Sequence, residues 1–149
     1  MTKQNPDLAS PQNCLCFNAR KTARLLTRAY DEALAPEGVT ATQFSLLALL
    51  DAAKELRMTD LAAHSETDRT TLTRNLNLLE RDGLIYRRSG EDARVRIVRL
   101  TMTGRRKLGA ASKLWREVQG DTIAAIGSQR AAAIISHAAL VGSIFDSTD

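Results

Sequence analysis

Aromatic side chains are scarce in this chain: three Phe, two Tyr and one Trp make up 4% of 149 residues. A core with so few rings has to be aliphatic, and plentiful Leu and Ala point that core toward helices. Cysteine is scarcer still. Cys14 and Cys16 are the only two, too few for a disulfide framework. With no secretory leader read at the start, a reduced cytoplasmic setting is expected. Histidine is limited to His64 and His137. No cluster has metal-ligand spacing, and no Ser/His/Asp or paired-carboxylate arrangement is spaced for catalysis, so no enzyme, metal or cofactor is expected. No apolar run approaches the roughly 18 residues that a membrane span needs. What remains is a soluble, single-domain composition, 44% hydrophobic and 26% charged, long enough to bury a substantial core.

The net charge of +4 is unevenly placed. Residues 57–107 hold 12 of the 21 basic and 7 of the 17 acidic side chains, a local balance of +5 against −1 for the rest. A basic middle third is the arrangement expected of a domain that meets a polyanion, although a solvated surface carries charge too.

Residues 1–12 (MTKQNPDLASPQ) are polar with two prolines and read as a loose tail. A long helix of mixed faces follows from about Cys14 to Leu34, and Pro36 and Gly38 break it. Thr40 or Thr42 is placed to cap the next helix, "TQFSLLALLDAA", whose Phe44, Leu46, Leu47, Leu49 and Leu50 read as deeply buried. Thr59 is placed to cap a short helix, "DLAAHS", and Thr67 or Asp68 the helix after it, which ends near Gly83. The period then changes. "LIYRR" and "VRIVRL", separated by "SGEDA", predict a two-stranded β-hairpin. Thr101 or Thr103 starts another helix, and "GSQ" at 127–129 separates it from a last one that ends near Phe145. The order helix–helix–hairpin is a winged helix-turn-helix pattern, in a mainly α fold flanked by amphipathic outer helices. Those outer helices must pack on each other or on a second copy.

Turned at 100° per residue, the segment 68–82 separates into two faces. Leu72, Leu76 and Leu79 fall together as an anchor. Thr70, Thr73, Arg74, Asn77 and Arg81 fall opposite, offering hydroxyls, an amide and guanidiniums that hydrogen-bond base edges and phosphates. Arg69, Thr70 and Thr71 occupy the first turn, where backbone N–H groups favour a phosphate. At the hairpin tip, Arg94 suits a narrow minor groove, and Asp92, two residues earlier, is placed to orient it through an ion pair. The candidate DNA-contacting set is Thr59, Arg69, Thr70, Thr71, Thr73, Arg74, Asn77 and Arg94.

These residues carry a resemblance. "VTATQFSLLALL", "MTDLAAHSETDRTTLTRNLNLLERDGLIYR" and "DARVRIVRLTMTG" resemble the MarR regulators, homodimeric winged-helix transcription factors of bacteria and archaea. With the flanking helices the resemblance spans nearly the whole chain. It implies a DNA-binding domain over 37–103 and dimerisation helices over 13–36 and 104–146. It places residues 69–77 in the major groove and Arg94 in the minor groove. It also implies a homodimer that reads a pseudo-palindromic operator with half-sites about one turn apart, more often as a repressor.

The two cysteines divide the reading. A Cys-x-Cys pair points apart on a helix and sits at or beyond the disulfide limit on a strand. Metal binding would need ligands borrowed from His64, His137 or a partner chain. "LCF" at 15–17 with Tyr30 resembles the organic-hydroperoxide-sensing branch of the family, where a cysteine of the first helix is oxidised and two tyrosines bond its thiolate. Cys16 and Tyr30 match, while Arg20 stands where that branch has its other tyrosine and places a cation one turn from the thiol. Cys14 is then the nearest second thiol. Packing as inert helix residues is the plainer alternative. The resemblance also implies release by a small aromatic or phenolic acid, for which Arg20, Phe44 and Trp115 are candidate pocket residues, or else Phe44 and Trp115 are core. A winged helix used for protein contacts is the rival to DNA binding; it predicts exposed apolar anchors on the 70–77 face.

Overall fold

The computed structural model describes residues 6–65, 68–92 and 94–145. After a 3-10 turn at Pro11–Asn13, helix α1 spans Leu15–Leu34 with Cys14 at its N-cap. A second 3-10 turn at Ala35–Glu37 ends on Gly38, whose φ of +68° is the left-handed conformation that the absence of a Cβ permits. Helix α2 (Ala41–Ala53) opens with a full capping box. Thr40 accepts from the Gln43 amide at 3.2 Å, and the Gln43 side chain accepts from the Thr40 amide at 3.0 Å. Asp31 on α1 accepts from the Ala41 amide at 2.7 Å, tying α1 to the positive end of α2.

Lys54, at φ +67°, reverses the chain into strand β1 (Glu55–Arg57), which runs directly into helix α3 (Met58–Ser65). Helix α4 spans Arg69–Arg81. Its N-cap is Asp68, whose side chain accepts from the Thr71 amide at 2.9 Å; the other candidate cap, Thr67, lies outside the described residues. At its far end the Gly83 amide bonds Glu80 and the Leu84 amide bonds Leu79, with Gly83 at φ +69°, a Schellman stop that sends the chain back along the helix as strand β2 (Ile85–Ser89). Strand β3 (Arg96–Leu100) pairs antiparallel with β2, Ile85 opposite Leu100 and Ser89 opposite Arg96. It also pairs with β1, Leu56 opposite Val98.

The sheet therefore has three strands in the order β1-β3-β2, one more than the hairpin expected. A three-residue strand with one apolar side chain, Leu56, has too little alternation to be legible. Helix α5 (Met102–Ile126) is capped by Thr101, and Gly127 separates it from α6 (Ser128–Phe145). No single helix among the described residues is long and apolar enough to cross a membrane.

The core lies between α2, α3, α4 and the sheet. Leu46, Leu47, Leu50, Leu61, Leu72, Leu76, Leu79, Ile85 and Val98 are all at most 2% exposed, and burying each such side chain stabilises the fold by about 1.5–3 kcal/mol. Leu34 of α1 and Ala111 of α5 are buried in this core, and Leu108, Leu114 and Trp115 of α5 pack against it partly buried. Helix α6 contributes no buried residue, and its contacts run chiefly to α5.

Candidate nucleic-acid interface

Helix α4 carries its leucines inward as the periodicity predicted, and its other face is open. Arg69, Thr70, Thr73, Arg74, Asn77, Leu78 and Arg81 line one shallow concavity on the molecular surface. Thr71 is exposed beside that concavity rather than in it, its amide engaged by the Asp68 cap. Hydrogen bonds from Thr71 hold the Asp68 carboxyl below its ordinary range. The Thr73 hydroxyl donates back to the Arg69 carbonyl at 2.8 Å, leaving its lone pairs and methyl to face outward.

Some of the arginines near this face are paired with carboxylates and others are not. Arg88 and Arg99 reach Glu55 across the sheet at 3.2 and 3.4 Å, Arg81 pairs with Asp82, and Arg87 pairs with Glu80. Arg69, Arg74 and Arg94 are bonded to no carboxylate among the described residues and are exposed. Cations without a carboxylate partner thus include those of α4's first half and of the tip between β2 and β3.

At that tip Asp92 orients Arg94, but not as an ion pair. Its carboxylate accepts from the Arg94 backbone amide at 2.9 Å, while the Val95 amide bonds the Asp92 carbonyl. An Asx turn two residues long uses the short Asp side chain on the main chain and leaves the guanidinium free. Thr59 departs from expectation too. Because β1 enters α3 without a loop, the helix begins at Met58, and the Thr59 hydroxyl lies inside the first turn, bonded to Asp60 at 3.3 Å.

The sensor candidates are not brought together within one chain. Cys14 and Cys16 are free and exposed at the start of α1, so neither is packed in the chain's own core. Tyr30 lies 14 residues along the same helix, about 21 Å at 1.5 Å per residue, and its hydroxyl bonds Gln119 of α5. Phe44 and Trp115 stack with ring centroids 5.8 Å apart and planes at 19°, Phe44 only 8% exposed. Arg20 is exposed on α1. Among the described residues no three His, Cys, Asp or Glu side chains are grouped to hold a metal ion.

Sequence reasoning missed Arg87. Its guanidinium donates to Asn77 Oδ1 at 2.6 Å and, through Nε, to Glu80 Oε2 at 2.9 Å, joining β2 to the outward face of α4. The signal was present only indirectly, in the Gly83 stop that lays β2 back along the helix.

Comparison with known proteins places this geometry. The model of the MarR family matches residues 37–95. An uncharacterised HTH-type transcriptional regulator of Bacillus subtilis (strain 168), YwoH, is 30% identical over 93 residues, 62% of this chain and 68% of that protein. The M. tuberculosis transcriptional regulator MosR, solved in complex with DNA, is 43% identical with a TM-score of 0.73, over 86% of this chain and 97% of that one. The transcriptional repressor CouR, bound to a 23-mer DNA duplex, is 27% identical with a TM-score of 0.80, over 93% and 99%. The winged helix-turn-helix core, the flanking helices and these likenesses agree: the chain belongs to the MarR family of transcriptional regulators.

Proposed function

We propose that the protein is a homodimeric transcriptional repressor that binds a pseudo-palindromic operator, α4 in the major groove and Arg94 in the adjoining minor groove. One observation carries the reading. The outward face of α4 presents hydroxyls, an amide and two guanidiniums without carboxylate partners around a single concavity. Such groups suit base edges and phosphates. A surface built for protein contacts would offer apolar anchors there, and among the described residues no large exposed hydrophobic lies on α4. The DNA complexes of MosR and CouR support the same reading. In this reading residues 37–103 bind DNA, 13–36 and 104–146 form the dimer, residues 1–12 are a tail, and the protein works in the cytoplasm.

For the signal that releases DNA we favour oxidation of Cys16 over an aromatic or phenolic inducer. Both thiols are free and exposed at the N-terminal end of α1, open to an oxidant, with Arg20 one turn on from Cys16. The Phe44 and Trp115 rings are instead engaged with each other. Fluorescence anisotropy on DNA from upstream of the protein's own gene tests both parts. Reduced protein is expected to bind with steep salt dependence, mild organic hydroperoxide to release it, and Cys16→Ser to stay bound. Binding indifferent to oxidant would turn the search to a small-molecule signal. The absence of salt-sensitive, sequence-selective binding to any DNA would overturn the regulator reading in favour of protein contacts.

A further inference from the structure

Asn77 stands at the centre of the α4 face, and the atom it turns inward is determined by its neighbour. Arg87 Nη2 lies 2.6 Å from Asn77 Oδ1. A guanidinium has only donors, so the amide end facing it has to be the carbonyl oxygen. Arg87 is itself held. Its Nε and Nη2 both reach Glu80 Oε2, and its backbone amide bonds Glu80 Oε1 at 3.1 Å. Its side chain is 24% exposed, that of Glu80 37%. The planar fork therefore spans a carboxylate on the last turn of α4 and an amide one turn earlier, from a strand fixed by the sheet. Among the described residues Asn77 Nδ2 donates to nothing.

We propose that Arg87 is a positioning residue for base readout. It locks the Asn77 amide against a 180° flip, so that Nδ2 is the end presented to DNA and Asn77 selects a base edge offering an acceptor. In the major groove those edges are purine N7, guanine O6 and thymine O4, while the amino edge of cytosine is rejected. An unrestrained asparagine accepts either polarity by flipping. The inference rests on the DNA-binding reading above.

The test is a panel of operator duplexes substituted one base pair at a time, measured with the parent, Asn77→Ala, Arg87→Lys, their double variant and Asn77→Asp. Asn77→Ala identifies the position whose discrimination this residue carries. Arg87→Lys keeps the charge beside Glu80, but an ammonium is a point donor without a fork that spans both partners. It is expected to lower discrimination at that position about three- to tenfold, with salt slope, affinity for non-specific DNA and melting temperature unchanged. On the Asn77→Ala background it is expected to lower discrimination no further, the non-additivity of two residues acting as one. Asn77→Asp keeps an oxygen toward Arg87 and replaces the donor by an acceptor. It is expected to fold as the parent and shift preference at that position toward cytosine or the adenine amino edge. Parent-like discrimination by Arg87→Lys, or multiplicative losses in the double variant, overturns the inference and leaves DNA binding standing. A parent that discriminates between no DNA sequences overturns DNA binding and the inference together.

Discussion

Gly104 shows how far one absent carbon reaches. A Cβ at this position would lie 2.0 Å from the Leu84 carbonyl oxygen and 3.2 Å from Leu100 Cδ2, so α5 can start against the turn after α4 only because no side chain is there. Thr101, three residues earlier, completes the junction. Its hydroxyl caps the Gly104 amide at 2.9 Å and reaches the Gly83 carbonyl at 2.6 Å. The nearer obstacle is the Leu84 backbone, which has little room to yield. Gly104→Ala should therefore destabilise the fold by about 2–3 kcal/mol, read as a lower urea midpoint with an unchanged slope. The spacing Leu100-Thr101-x-x-Gly104 is visible in the sequence as a motif. That the glycine answers to Leu84 is visible only in the fold.

At the scale of elements, the proposed function gives α4 and the wing different work, and single substitutions separate them. Arg94 is exposed at the tip and free of carboxylates. Arg94→Ala should weaken binding to every DNA alike and reduce the salt slope by about 1; unchanged affinity would remove the wing from the groove. Arg74→Ala, on the helix face, should cost about 1–3 kcal/mol and mainly on the cognate site, measured by anisotropy against a scrambled duplex.

The link between the two elements is titratable. Hydrogen bonds from Arg87, aided by its charge, hold the Glu80 carboxyl below its ordinary value of 4.5. A carboxyl whose value is lowered by folding contributes stability above the unfolded value and loses it as pH falls through the folded one. The parent should thus lose stability below about pH 4.5, while Glu80→Gln should start lower at pH 7 and show a flatter acid limb. The difference at neutral pH should be at most about 1 kcal/mol, because the pair is partly exposed and screened. Denaturant melts across pH 3–7 measure it.

For the whole molecule, the distribution of apolar surface is the informative quantity. Leu15 is 82% exposed, Phe17 60%, Ile135 65% and Ile144 57%, and α6 buries none of its residues in the chain itself. Apolar faces of that extent mark interaction surfaces, and in the proposed homodimer a second copy would cover both at once through a two-fold axis. Leu140→Glu with Ile144→Glu should give a folded monomer by sedimentation, since neither belongs to the core of the winged domain. Its operator affinity should fall about 100-fold or more as the two half-sites become separate binding events. A double variant that stays dimeric would place the interface elsewhere.

The sequence by itself determined the helices, the hairpin and the faces of α4, though not β1. Caps offered as Thr40 or Thr42, Thr67 or Asp68, and Thr101 or Thr103, glycine stops at Gly38 and Gly83, and leucines at helical spacing in 72–79 act over a few residues, and local chemistry is legible locally. It also determined which α4 side chains turn outward, because burial of Leu72, Leu76 and Leu79 leaves the opposite face no alternative. Tertiary structure alone decided the rest. It paired β1 with β3, bound Asp92 to the main chain, set Tyr30 on Gln119 rather than near Cys16, and stacked Phe44 on Trp115. It also chose among many arginines the one that grips Asn77. Each of these joins residues whose separation along the chain carries no period, so only the folded geometry can select the partner.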